Sequence, residues 1–226
     1  MAKKREMEKS TPVLTVVCIK QGPLYGAEYV NILYSMVERN LSVPHEFVCF
    51  TDDPEGLQAG IRFFPPLSDR PGWWSKMELY RETIPGVNTP RILFLDLDVV
   101  VTGSLDIAVR HGFDFCLIRD YPAGMFPDAD ERSCHGNTSV ILLTVGSRTQ
   151  IYNAYVEAGR PETPGGDQEW VNRHFIGEFV LFPDEWMRSY KLHNLQDGLT
   201  EGCKVVMFHG RPKPPECGGW VKEYWK

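Results

Sequence analysis

The sequence predicts an α/β fold in a single domain. Short apolar runs of strand length alternate with segments of helical period through the first half of the chain. Length and composition agree: 226 residues suit one sizeable core, and 42% hydrophobic with 24% charged residues indicates neither disorder nor a fibrous class. A formal net charge of -6 argues against nucleic-acid binding. The charged opening, residues 1–10, leads into an apolar stretch interrupted at Lys20, so it reads as an extension and not as a signal peptide or membrane span. The domain is expected over 11–214, with an aromatic tail at 215–226 packed on or near it.

VLTVVCI, residues 13–19, is the first strand, after which Ala27, Val30, Leu33, Tyr34, Val37 and Leu41 recur at helical spacing. HEFVCFT at 45–51 and IRFF at 61–64 are the next strands. WWSKMELYRETI at 73–84 reads as a helix stopped by Pro85 and Gly86. RILFL at 91–95 is again a strand. A short helical stretch near SLDIAVRH precedes strand-like DFCLI at 114–118 and NTSVILLTV at 137–145, and the Pro-, Gly-, Asp- and Arg-rich segment between them reads as a surface loop. SRTQIYNAYVEA and DQEWVNRHF are helices, the second following a Gly-Gly turn at 165–166, and EFVLF and KVVMFH are late strands. The tail ends in WVKEYWK, which suits a short helix packed over the domain or, alternatively, peripheral contact with a membrane surface bearing a lipid-linked acceptor.

Cys18, Cys49 and Cys116 lie inside strand-like runs and are expected to be buried, reduced thiols, whereas Cys134, Cys203 and Cys217 sit in loop-like contexts. No C-x-x-C pair suggests zinc or redox chemistry, and the pattern favours the cytoplasm.

LFLDLDVVV, residues 93–101, holds the strongest chemical signal. Carboxylates at the end of an apolar run are costly unless a cation, hydrogen-bond donors or water compensates. Strand alternation turns Asp96 and Asp98 to one side and Leu97 to the other, an arrangement that suits a hard divalent cation with positions left for phosphate oxygens and water. Open α/β sheets place their ligand crevice at such strand ends. Solvated aspartates at a strand-end turn are the plainer account. FHGRPKP, residues 208–214, sets three useful groups directly after a strand. His209 can complete a metal site, Gly210 lets backbone approach a phosphate, and Lys213 supplies a compact cation. A set of imidazole and carboxylates suits Mn²⁺ better than Mg²⁺, while carboxylates and water suit either. Asp167 at a helix start reads as an N-cap, which leaves Gln168 unexplained, and Lys76 alone reads as a solvated lysine on an amphipathic helix.

In chain order these elements are a helix with Lys76, a strand ending Asp-Leu-Asp, a strand opening at Asn137, Asp-Gln before a helix, and a strand ending His-Gly-x-x-Lys-Pro. That order resembles the family-8 glycosyltransferases of the GT-A fold, which include glycogenin and bacterial galactosyl- and glucosyltransferases, over most of residues 13–214. The resemblance implies a Rossmann-like mixed sheet flanked by helices. It implies metal-dependent transfer of a hexose from a UDP-sugar to a glycan, lipid-linked or protein acceptor, with retention of anomeric configuration. Asp96, Asp98 and His209 would bind Mn²⁺ (or Mg²⁺), and Gly210 and Lys213 would contact the diphosphate. Lys76 would approach the donor sugar and phosphate, with Asn137 beside the sugar and Asp167 and Gln168 as the catalytic pair. Residues 17–20, with Cys18 and Lys20, together with Tyr25 resemble the nucleoside pocket. CFTDDP at 49–54 is similar to a segment common in sugar-nucleotide transferases, although Asp52 and Asp53 can equally shape a turn.

Two departures stand out. The family pattern H-x-x-G-x-x-K-P-W is shortened, since Gly210 follows His209 directly, and Pro215 stands where the family has tryptophan. The chain is also shorter than many members, which leaves acceptor-binding additions to the 119–136 loop and the tail from 211.

Other function classes compete. FLDLDVVVTGSL resembles the opening motif of haloacid dehalogenase-like phosphatases, with Asp96 as nucleophile and Asp98 as general acid. Here, however, the motif follows about ninety residues of other structure, Val99 and Val100 occupy the next positions, and HGRPKP would have no role. The remaining class is a non-catalytic sugar-nucleotide-binding protein, which resemblance at the level of fold does not separate from an enzyme.

Overall fold

The computed structural model describes residues 11–70, 72–110, 112–121 and 134–226. Most of the loop expected between the strands at 114–118 and 137–145 lies outside these residues, as does the 1–10 extension. In chain order the strands are β1 (Leu14–Lys20), β2 (His45–Thr51), β3 (Arg62–Phe64), β4 (Arg91–Leu95), β5 (Val100–Val101), β6 (Phe115–Arg119), β7 (Gly136–Thr144), β8 (Val180–Leu181), β9 (Met187–Ser189) and β10 (Val205–Met207). The helices are α1 (Ala27–Asn40), α2 (Asp106–Arg110), α3 (Thr149–Glu157), α4 (Gly166–Phe175) and α5 (Trp220–Tyr224), joined by a 3₁₀ segment at Gly72–Tyr80.

Seven strands form one mixed sheet in the order β3-β2-β1-β4-β7-β6-β8. Its centre is parallel, with Val16 of β1 opposite Phe47 of β2 and Leu93 of β4. β7 then runs antiparallel between β4 and β6. Central strands covered on both faces should be apolar throughout, which explains why LTVVCI and RILFL lack the alternation of a half-exposed sheet. Leu14, Val16 and Cys18 face one core, which includes Val30, Leu33, Met36 and Val37 of α1. Val17, Ile92 and Phe94 face the other, built from the 3₁₀ segment, α3 and α4. A separate three-stranded sheet, β5-β10-β9, carries the chain into His209.

Three local departures from the sequence expectations matter for the site. The segment expected as a helix over 73–84 is a 3₁₀ segment that ends at Tyr80. All of Trp74 to Tyr80 is buried, polar Ser75, Lys76 and Glu78 included, so no solvent-facing stripe exists to reward the α-helical period. Trp74 stacks on Tyr155 of α3 at 5.5 Å and 6°, and such aromatic pairs add about 0.5–1.5 kcal/mol beyond their burial.

Next, β7 bulges. Leu117 and Ile118 are neighbours on β6 but oppose Ile141 and Asn137, so Thr138, Ser139 and Val140 lie outside the β6 ladder. Bulges re-aim side chains beside functional sites, and this one delivers Thr138 and Ser139 to the end of β4. Finally, β5 and β9 are strands of two and three residues that carry no sequence-level signal and pair only with β10.

No disulfide joins the described cysteines, and Cys203 and Cys217, expected in loops, are buried as well. The tail folds onto the domain. Trp220 Nε1 donates to the Leu195 carbonyl at 2.7 Å, Trp225 meets Tyr29 edge-on at 5.3 Å, and Arg39 donates to the carbonyls of Tyr224 and Lys226. Among the described residues no helix is long and apolar enough to cross a membrane.

Candidate active site

β4 stops at Leu95, so the two aspartates do not share a strand face as alternation predicts. They stand in a tight turn closed by Val99 N–H on the Asp96 carbonyl (3.4 Å) and anchored by Asp96 N–H on the Ser139 carbonyl (2.9 Å). Leu97, buried in the core, pins the turn from beneath, and both carboxylates reach the same cavity. That cavity is about 480 Å³ and opens at the carboxyl ends of β1 and β4.

Lys76 is buried instead of solvated. Its Nζ lies 2.9 Å from Asp96 Oδ1 and 3.1 Å from Oδ2, donates to the Thr138 carbonyl at 3.3 Å, and sits 5.2 Å from the Phe94 ring. Burial by itself depresses a lysine, but Asp96, Asp167 and Asp98 outweigh it and hold the ammonium above its ordinary range. Burial likewise pushes Asp96 up against the pull of Lys76, with Asp98 adding to the rise and the Ser139 hydroxyl opposing it.

Asp98 has different partners. Tyr25 Oη donates to its Oδ2 at 2.9 Å, and Lys213 Nζ bonds the same oxygen while lying 5.7 Å from the Tyr25 ring centre. Glu216 sets the Lys213 loop: its carboxylate accepts from Lys213 N–H at 2.8 Å and pairs with Arg211. Gly210 lines the cavity with φ +62, a conformation that disfavours any side chain. A Cβ placed there would lie 3.6 Å from Lys191 Nζ, a nearby cation with no sequence-level signal. His209 Nε2 is buried without a partner. Burial pulls this imidazole below its ordinary pKa despite Asp98, with Lys191 and Lys213 adding to the fall, so it is neutral at pH 7.

Asp167 is not the N-cap its position suggests. Gly165 occupies that position and makes no side-chain cap, while Asp167 is inside the first turn of α4, 2% exposed, with Oδ2 unpartnered. Burial pushes its carboxyl up to about 6, against the pull of Lys76 and the Thr138 hydroxyl. Because this exceeds the ordinary value of 3.8, the folded protein holds a proton that the unfolded chain has already released, and stability falls as pH rises from about 4 through 6. The full shift corresponds to on the order of 2–3 kcal/mol. Asp167→Asn should therefore flatten the dependence of Tm on pH in this window, raising Tm at pH 7.5 but not at pH 4. Parallel thermal melts of both proteins would check it, and an unchanged slope would contradict the assignment.

Asn172 locks α4 in place by accepting from Gly136 N–H and donating to the Gly136 carbonyl, both at 2.8 Å. Neither Asp167 nor Gln168 lines the cavity.

Three other expected donor contacts, Cys18, Lys20 and Asn137, stand elsewhere. Cys18 is sealed in the core beside Cys49, and Lys20 donates to the Asp53 carbonyl at 3.1 Å. The residues of this segment that line the cavity are Ile19 and Gln21, on the opposite face, because side chains alternate along a strand. Asp53 is a turn former, accepting from Glu55 N–H two residues on, whereas Asp52 accepts from Gly22 N–H and ties the end of β2 to the loop after β1. Asn137 is turned to the bulge, where its Oδ1 accepts from Ser139 N–H at 2.9 Å, and Ser139 lines the cavity in its stead.

Among the described residues no three His, Cys, Asp or Glu side chains are grouped tightly enough to hold a metal ion as they stand. The two carboxylates are each engaged by an ammonium instead. The donor chemistry nevertheless fits a divalent cation: two carboxylates facing one cavity and a neutral imidazole whose buried Nε2 has no partner.

No protein-family model matches the sequence, and no curated protein does. Solved structures do match. The galactosyltransferase LgtC, in complex with donor and acceptor sugar analogues, aligns over 93% of this chain and 93% of its own at 16% identity and a TM-score of 0.67. An active-site mutant of LgtC, glutamine replaced by glutamate, aligns equally far at 15% identity and a TM-score of 0.68. The glycosyltransferase GlyE of Streptococcus pneumoniae TIGR4 matches 93% of this chain but only 59% of its own, at 14% identity and a TM-score of 0.68. At these identities the likeness is one of fold, and the fold is that of the GT-A glycosyltransferases.

Proposed function

We propose that this chain, built on the GT-A frame, is a glycosyltransferase that moves a hexose from a nucleotide-diphosphate sugar, a UDP-sugar first among candidates, to a glycan, lipid-linked or protein acceptor. The observation that carries this reading is the cavity at the strand ends. There Asp96 and Asp98 meet Lys76, Lys213, Tyr25 and the unpartnered His209 in a frame shared with a structure holding donor and acceptor sugar analogues. Neither the phosphatase nor the binding-protein alternative gains support from the fold or its likenesses.

In this reading Asp96, Asp98 and His209 would hold Mn²⁺ or Mg²⁺. The bound cation would neutralise charge on the donor diphosphate. Lys213, partly exposed on a loop braced by Glu216, is placed to exchange Asp98 for a phosphate oxygen. Gly210 offers backbone without a side chain at the same wall. Lys76 opposes the effect of burial by favouring the ionised form of Asp96, and it would supply a second fixed positive charge toward the leaving group. Tyr25 orients Asp98.

Transfer with retention leaves two routes, a covalent intermediate on Asp167 or displacement on the same face. A carboxylate sealed from the cavity has no open path to an anomeric carbon, which favours the same-face route. Gln168 is this chain's candidate counterpart of the glutamine altered in LgtC. Its amide carbonyl could steady positive charge developing on the sugar. A covalent adduct trapped with a slow donor would refute this preference.

The test of the function is calorimetric titration of the protein with UDP, with and without Mn²⁺. Binding that requires the metal is the expected result. No binding in either condition would overturn the assignment.

A further inference from the structure

Trp73 is 53% exposed, although it opens a segment whose next seven residues are buried. Its indole lies against the backbone at Gly166. A Cβ on Gly166 would stand 2.4 Å from the indole Cδ1 and Nε1, so the ring rests on the backbone of a glycine that has no side chain to displace it. Gly166 immediately precedes Asp167 and Gln168. In a 3₁₀ segment residues three apart lie on one edge, which aligns Trp73 with Lys76, and both line the cavity. The indole therefore lies beside Lys76 and the start of α4 on the wall of the cavity. Leu24, 75% exposed, is a second apolar residue on the same cavity.

A large, preorganised aromatic face left in water at a cavity wall gains most from a ligand that is itself part apolar and part polar. A pyranose ring has that character, with C–H groups on one face and hydroxyls at its edge. We propose that the open face of Trp73 is the platform for the acceptor and that the acceptor is a saccharide, its C–H face stacked on the indole. The proposal rests on the glycosyl-transfer reading of the site. A nucleobase could also stack on an indole, but Trp73 lies against Gly166, next to Asp167 and Gln168, which the proposed reading sets at the reacting sugar where the acceptor must arrive.

The test uses saturation-transfer NMR with methyl α- and β-glucosides and galactosides, in the presence of UDP and Mn²⁺, on the wild type, Trp73→Ala and Trp73→Phe. UDP affinity is measured on the same samples by calorimetry. Expected is glycoside binding by the wild type, strongest at the C–H groups of one ring face. Trp73→Ala should weaken it about tenfold or more and Trp73→Phe should largely keep it, as for an aromatic hot spot. UDP affinity should change by less than about threefold, as a separate subsite requires. A large loss of UDP affinity in Trp73→Ala would assign the indole to the base and overturn the proposal. So would undiminished glycoside binding by that variant, or a wild type that binds UDP but no glycoside. A wild type that binds no UDP sinks the functional reading itself, and the acceptor site with it.

Discussion

Asp98→Ala is expected to abolish Mn²⁺-dependent UDP binding and to lower donor turnover by roughly 10²–10³-fold or more, the scale of losing one preorganised charge stabiliser. Asp98 joins Tyr25 from the loop after β1 to Lys213 from the loop after β10, and in the proposed function it is also a ligand of the cation. The fold should survive. Asp98 lies in a turn outside the strand ladder, and its partner Lys213 is exposed enough to be rehydrated when the carboxylate is gone. Calorimetry, donor hydrolysis and a thermal melt on the same preparation separate these effects. Turnover retained with chelator present would defeat the metal-dependent reading, and a collapsed Tm would show that the residue is structural.

Lys76→Met should have the largest effect on stability. It removes the ammonium that serves both Asp96 and the buried Asp167 while leaving the carboxylates in place. Breaking a buried pair from one side costs about 3–5 kcal/mol, reduced here because Asp96 keeps some contact with solvent. A fall in Tm of roughly 5–12 °C near pH 7.5 follows for a chain of this size. The deficit should shrink as pH falls toward 5. Without the lysine both carboxyls rise further, and a group whose folded pKa is raised favours the native state at low pH. Adding Asp167→Asn to Lys76→Met should recover part of the loss at neutral pH. A Lys76→Met protein with unchanged Tm across this range would show that the ammonium is not needed to hold the two carboxylates.

The fold was largely legible because its signals are periodic and local. The continuous apolar runs of β1 and β4 follow from burial on both faces, and the spacing of Val30, Leu33 and Val37 follows from a helix packed on one. The 3₁₀ segment was not legible, since a stretch buried all round has no period to read. Nor were β5 and β9, too short to show alternation and formed only because β10 lies between them.

At the site, residue chemistry and order along the chain pointed to Asp96, Asp98, His209, Gly210 and Lys213, all of which line one cavity. Asp-Leu-Asp after an apolar strand and a histidine after another are costly placements that call for compensation, and that cost is visible in the sequence. Which face of β1 meets the cavity, that a bulge substitutes Ser139 for Asn137, that Asp167 is sealed beside Lys76, and that Trp73 rests on Gly166 were decided only by tertiary packing. Each depends on the register of one strand or the approach of two segments distant in the chain. A shift of a single residue, which leaves composition and order unchanged, turns every side chain of a strand to the other face.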